Sequence, residues 1–193
     1  MDARFALPPN LPVPRDDGLA DHLVNLKLPA IGLPATDTSV VNLANLSLAV
    51  IFAYPRTGVP DNSPGPEWDA IPGARGCTPQ ACAFRDLHAE FQTLGVAVYG
   101  LSTQRTDFQQ DFVARNHIPF PVLSDHELRL VRAINLPVFE YPIEAIGGGG
   151  PRTLLRRMAW FVEDGVIRKL WYPVFPPDKN ASEVLSWVQS QSS

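Results

Sequence analysis

A chain of 193 residues is the size of one domain, and 45% apolar against 19% charged residues supplies a core and excludes a disordered chain. Lys and Arg total 16 against 20 Asp and Glu, a net charge of −4. That balance argues against nucleic acid and anionic membranes as partners, because both are held mainly by a basic face.

The first residues run into Leu7-Pro8-Pro9 without a basic segment followed by an apolar one, so no signal peptide and a cytoplasmic location are expected. Residues 1–22 read as an irregular, proline-rich extension, and 23–193 as one domain whose lead-in touches the core over Leu23 to Leu33. Ser39 to Asn45 and Leu48 to Tyr54 are rich in Val, Leu and Ile. The second run, with almost no polar residue, predicts a central strand covered on both faces, not a membrane span. Pro55 ends it. From there to Gly76 five prolines and four glycines make a long loop, functional or inserted.

Beyond Gly76 the period changes. Ala81, Phe84, Leu87, Phe91 and Leu94 recur every three or four residues, predicting one helix that stops at Gly95. Val96 to Ser102 predicts a strand, Thr106 to Asn116 a helix, Phe120 to Leu123 a short strand and Asp125 to Ile134 a helix, with Gly147 to Gly150 as a flexible connection. Two β-rich runs, 157–162 and 166–172, flank Asp164-Gly165 and predict a hairpin. A last helix begins near Asn180, with Glu183 as its capping pair. The order predicts an α/β fold, a central mixed β-sheet with helices on both faces, as in the thioredoxin-like fold.

The chain has two cysteines, Cys77 and Cys82, too few to staple a secreted scaffold, so cytosolic chemistry is the expected use. Cys77 falls at the start of the predicted helix, where free N–H groups and the helix dipole favour a thiolate nucleophile. Arg75 and Arg85 lie near in sequence and are candidates for added positive charge. Cys82 is five residues on, which in an intact helix separates the Cα atoms by on the order of 8.5 Å. A disulfide tolerates about 7 Å, so the helix start must unwind before the sulfurs join. The bland readings are a buried structural Cys77 and a core Cys82 beside Phe84.

The run Gly76-Cys77-Thr78-Pro79-Gln80-Ala81-Cys82-Ala83-Phe84-Arg85-Asp86 resembles the G-C-T-x-x-A-C-x-F-R-D signature of peroxiredoxins of the bacterioferritin-comigratory, or Q, type. The resemblance continues through Ala53-Tyr54-Pro55, 95–103, 119–125 and 157–165. It implies a thiol peroxidase of thioredoxin-like fold with no cofactor. Cys77 would be the peroxidatic and Cys82 the resolving cysteine, and the substrates hydrogen peroxide and organic hydroperoxides. The resulting disulfide would be reduced by thioredoxin or a similar dithiol, and the chain would be a monomer or homodimer. Arg157 matches the site arginine, chosen over its neighbour Arg156.

By simple counting, Ala70 and Ala74 stand where the family has Pro and Thr. Pro55 and Thr57 are therefore expected to supply the ring and hydroxyl, with an insertion at about 58–74, Trp68 included, before the cysteine. Two other readings use the same pair: a disulfide oxidoreductase, which would carry C-x-x-C, and a redox-responsive binding or chaperone protein. No metal site is expected, since His22, His88, His117 and His126 are scattered and one CxxxxC pair is poor zinc spacing.

Overall fold

The computed structural model describes residues 6–59 and 65–191. Residues 1–5 of the expected extension and 60–64 of the expected insertion lie outside the described residues. The short ribbon β1 (Gly32–Pro34) and β2 (Val40–Asn42) leads into β3 (Leu48–Ala53). After α1 (Pro66–Asp69), α2 (Cys77–Asp86) and α3 (His88–Thr93) come β4 (Ala97–Ser102), α4 (Thr106–Asn116), β5 (Val122–Ser124) and α5 (Arg129–Ile134). A second ribbon, β6 (Val138–Glu140) with β7 (Thr153–Leu155), precedes the hairpin of β8 (Met158–Glu163) and β9 (Val166–Trp171), and α6 (Asn180–Gln191) closes the fold.

The main sheet has the order β5-β4-β3-β8-β9. β3 runs parallel to β4 and antiparallel to β8, so it sits in the middle of a mixed sheet. Because side chains alternate along a strand, β3 feeds two cores. Ala49, Ile51 and Ala53 pack with Trp160, α5 and the lead-in residues Leu23, Leu28 and Leu33. Val50, Phe52 and Tyr54 face α2, α4 and α6. Phe84 of α2 stacks on Phe52 at 4.4 Å between ring centroids and 6° between planes. Burial of such a side chain contributes roughly 2–3 kcal/mol, which fixes the axis of α2 against the sheet.

Several expected elements differ in detail. The single helix expected over 77–94 breaks at Leu87, whose backbone (φ −104°, ψ 9°) leaves the helical region. The helix expected from Asp125 starts only at Arg129, and buried Asp125 instead accepts the N–H groups of Leu130 and Val131 at 3.0 and 2.9 Å. The ribbon β6-β7 was not signalled, because its strands are three residues each. Asn180 does not cap α6: a 3-10 turn, Pro177–Lys179, precedes it, and its side chain is used elsewhere.

Candidate active site

Gly76 stands at the N-terminus of α2 with φ +108°, a backbone that L side chains rarely adopt. A Cβ there would also lie 2.3 Å from Pro177 Cγ, so glycine alone lets α2 begin against the turn before α6. Cys77 is the first helical residue, on the turn whose backbone N–H groups lack intrahelical partners. Both cysteines are free and buried, 4% exposed for Cys77 and 7% for Cys82, within one unbroken helix.

Arg157, immediately before β8 and 3% exposed, is held in a cradle. Its Nε donates to Gly73 O at 3.2 Å, and its Nη1 to Gln80 Oε1 at 2.6 Å. Its Nη2 reaches Ala74 O at 3.0 Å, Arg75 O at 3.3 Å and Cys77 Sγ at 3.2 Å. None of these partners is a carboxylate. A buried guanidinium is costly unless a negative charge accompanies it, and of its five partners the sulfur is the one able to carry that charge. Cys77 Sγ also lies 3.6 Å from Ala74 O. Arg156, one residue earlier, turns away, with its Nη1 3.9 Å from Asp17 and its Nε on Val138 O at 3.4 Å.

The cradle depends on the segment before α2. Trp68 of α1 meets Tyr141 edge-on at 5.0 Å and Phe139 at 6.1 Å, forming a satellite core with Leu154 of β7 and with Ile143 of the connection between β6 and β7. That anchor places the carbonyls of Gly73, Ala74 and Arg75 where Arg157 can reach them. A groove lined in part by Pro72, Gly73, Phe139, Arg156 and Tyr172 also reaches Arg157.

Pro55 is buried just beyond β3. Thr57, 3% exposed, donates its N–H and its hydroxyl to Gln104 Oε1 at 2.9 and 3.2 Å, and Gln104 Nε2 donates back to Thr57 O at 3.1 Å. The hydroxyl is thus given to Gln104, not to Cys77. This clamp fixes the backbone just after Arg56, which is 5% exposed and interacts electrostatically with Cys77. Burial pushes the Arg56 guanidinium below its ordinary range, and the sulfur works against that shift.

Arg56 is a second buried cation that sequence proximity does not nominate. The two arginines it does nominate bond elsewhere. Arg75 pairs with Asp69 at 3.1 Å, and Arg85 donates to Asp86 and to Asn116 O. Gln80 and Asn180, joined by a 2.9 Å hydrogen bond, complete the buried polar set. No group of three or more His, Cys, Asp or Glu able to hold a metal occurs among the described residues.

A mixed sheet that carries a cysteine on the first turn of a helix packed against it defines an α/β protein of the thioredoxin-like class. Residues 23–185 match the Redoxin family, and the chain belongs to it. It is 29% identical over 165 residues to Peroxiredoxin bcp1 of Schizosaccharomyces pombe, covering 83% of this chain and 71% of that one. Against the chloroplastic Peroxiredoxin Q of Gentiana triflora it is 29% identical over 116 residues, 60% of this chain and 49% of the relative, so it spans about half of that protein's length. The structure of the Xanthomonas campestris bacterioferritin comigratory protein superposes with a TM-score of 0.66 at 21% identity, over 88% of this chain and 99% of that one.

Proposed function

We propose that the chain is a thiol peroxidase in which Cys77 is the nucleophile, Arg157 its electrostatic partner and Cys82 the resolving thiol. The observation that carries this reading is the 3.2 Å contact from Arg157 Nη2 to Cys77 Sγ at a helix start, without a carboxylate in the cradle. The Cys77 thiolate attacks one peroxide oxygen, an S–O bond forms and the O–O bond breaks. The electron pair leaves on the other oxygen, which takes a proton and departs as water or an alcohol. Guanidinium donors already aimed at the sulfur stabilise the charge that develops beside it.

Sulfur 77 is then a sulfenic acid, oxidised by two electrons. The Cys82 sulfur attacks it, the S–O bond breaks, and the hydroxyl leaves as water with the proton of the Cys82 thiol. An external dithiol reduces the disulfide, and thioredoxin or a similar protein fits that role. Hydrogen peroxide and organic hydroperoxides are the substrates this chemistry would take. The Xanthomonas campestris protein is described by its alkyl peroxide reduction activity, and the same class of substrate is proposed here.

The test follows peroxide loss with a dithiol donor. The parent is expected to turn over many times. Cys82→Ser is expected to keep the first oxidation within about twofold and to stall with a protein dithiol after one equivalent. A full sustained rate in that variant would remove Cys82 from the cycle.

The resolving step also carries a pH signature. Burial pushes the Cys82 thiol up, with Asp86 adding to the shift and Arg85 opposing it. The intact helix therefore favours the neutral thiol. Below the ordinary thiol value of about 8.5 that preference is fully present, and it is lost as pH rises toward the higher folded-state value. Alkaline conditions favour the unwound helix, where the exposed thiol ionises first. Rapid-mixing fluorescence of sulfenic acid conversion to disulfide is expected to accelerate from neutral to alkaline pH, and a flat or falling profile would contradict it.

A further inference from the structure

We propose that Asn180, on α6 and outside the cysteine signature, is a positioning residue for the Arg157–Cys77 pair, acting through Gln80; this rests on the peroxidase reading for its consequence in turnover. Gln80 and Asn180 are both 0% exposed. Gln80 lies on α2 between the two cysteines, and its oxygen makes the shortest bond in the arginine cradle, 2.6 Å from Arg157 Nη1. A glutamine amide can be turned either way, and the wrong way would aim its N–H groups at the guanidinium.

Asn180 decides the matter. Its Oδ1 accepts from Gln80 Nε2 at 2.9 Å, which leaves the Gln80 oxygen facing Arg157. The other half of the Asn180 amide is orphaned: Nδ2 is buried with no hydrogen-bond partner. A buried unsatisfied donor is costly and needs an explanation. The acceptor it brings to Gln80 supplies one.

The same contact holds the helix shut. The start of α2 meets the turn before α6 at Gly76 against Pro177, and α6 itself at Gln80 against Asn180. Any unwinding that brings Cys77 to Cys82 passes through Gln80, so it breaks the bonds to Arg157 and Asn180 together. The Asn180 oxygen thus favours the attacking state over the resolving one.

The experiment measures alkylation of Cys77 by iodoacetamide across pH in a Cys82→Ser background, comparing Asn180→Leu, Gln80→Leu and the two combined. Asn180→Leu is expected to slow alkylation about five- to tenfold in mildly acid buffer and to match the parent in alkaline buffer. The combined variant is expected to be no slower than Gln80→Leu alone, because one substitution acts through the other. With Cys82 present, Asn180→Leu is expected to speed the disulfide step by a similar factor.

Asn180→Ala removes the same acceptor without adding bulk or charge and is expected to slow alkylation in the same direction; it serves alone if the leucine variant does not fold. Parent-like alkylation in Asn180→Leu and Asn180→Ala with only a lower melting temperature, or slowdowns that multiply in the combined variant, would each overturn the proposal. Alkylation consumes no peroxide. A parent that alkylates rapidly yet leaves peroxide intact would defeat the peroxidase reading while the Asn180 comparison still stands or falls on its own.

Discussion

Arg157→Leu is expected to slow oxidation of Cys77 by hydrogen peroxide by about two to three orders of magnitude, the usual cost of removing a preorganised donor from a site of developing charge. The leucine can follow the aliphatic stem of Arg157, but it leaves the carbonyls of Gly73, Ala74 and Arg75, the Gln80 oxygen and the sulfur without their donor. Arg157→Lys separates charge from geometry. An ammonium keeps the positive charge and cannot reproduce the fork, so it is expected to recover part of the loss and remain about tenfold below the parent. Rapid-mixing measurement of the first oxidation step decides it. Full activity in both variants would make Arg157 a structural clamp for residues 73–75 and nothing more.

Cys77→Ser is expected to bring peroxide consumption down to the uncatalysed background, a loss of at least about four orders of magnitude. A serine hydroxyl at a helix start beside a guanidinium is still a neutral, weak nucleophile at physiological pH. The substitution is nearly isosteric, so the melting temperature is expected to move little, and a large fall in stability would show that the thiolate also holds the buried guanidinium in place. Retained turnover would pass the nucleophile's role to Cys82, whose thiol burial keeps neutral.

The sheet was legible in the sequence because its central members are unambiguous: β3 reads as five buried residues in a row, and the Asp164-Gly165 pair announces the turn between β8 and β9 with two positive-φ positions. The start of α2 was legible for the same kind of reason, glycine before a periodic run. The ribbon β6-β7 was not, since three-residue strands have no measurable period and are held by contacts with Trp68, about seventy residues earlier in the chain.

Cys77 was nominated by the helix start and the signature and Arg157 by the family match, and the structure brings the two to 3.2 Å. Arg56, Gln80 and Asn180 were not, because each matters only through a partner brought near by the fold: Cys77 for Arg56, Arg157 for Gln80, Gln80 for Asn180. Asn180 reads locally as a helix cap, and only the preceding 3-10 turn frees its side chain for α2. The hydroxyl of Thr57 shows the reverse: its place beside Pro55 suggested the sulfur, while the fold gives it to Gln104.

Mass spectrometry of the reduced protein after one equivalent of peroxide, read at the level of each cysteine peptide, probes the chemistry most directly. The parent should lose two hydrogens as Cys77 and Cys82 join, Cys82→Ser should gain one oxygen on Cys77, and Cys77→Ser should remain unmodified. Oxygen appearing first on Cys82, or a parent whose two thiols both survive the peroxide, would contradict a nucleophile at the head of α2.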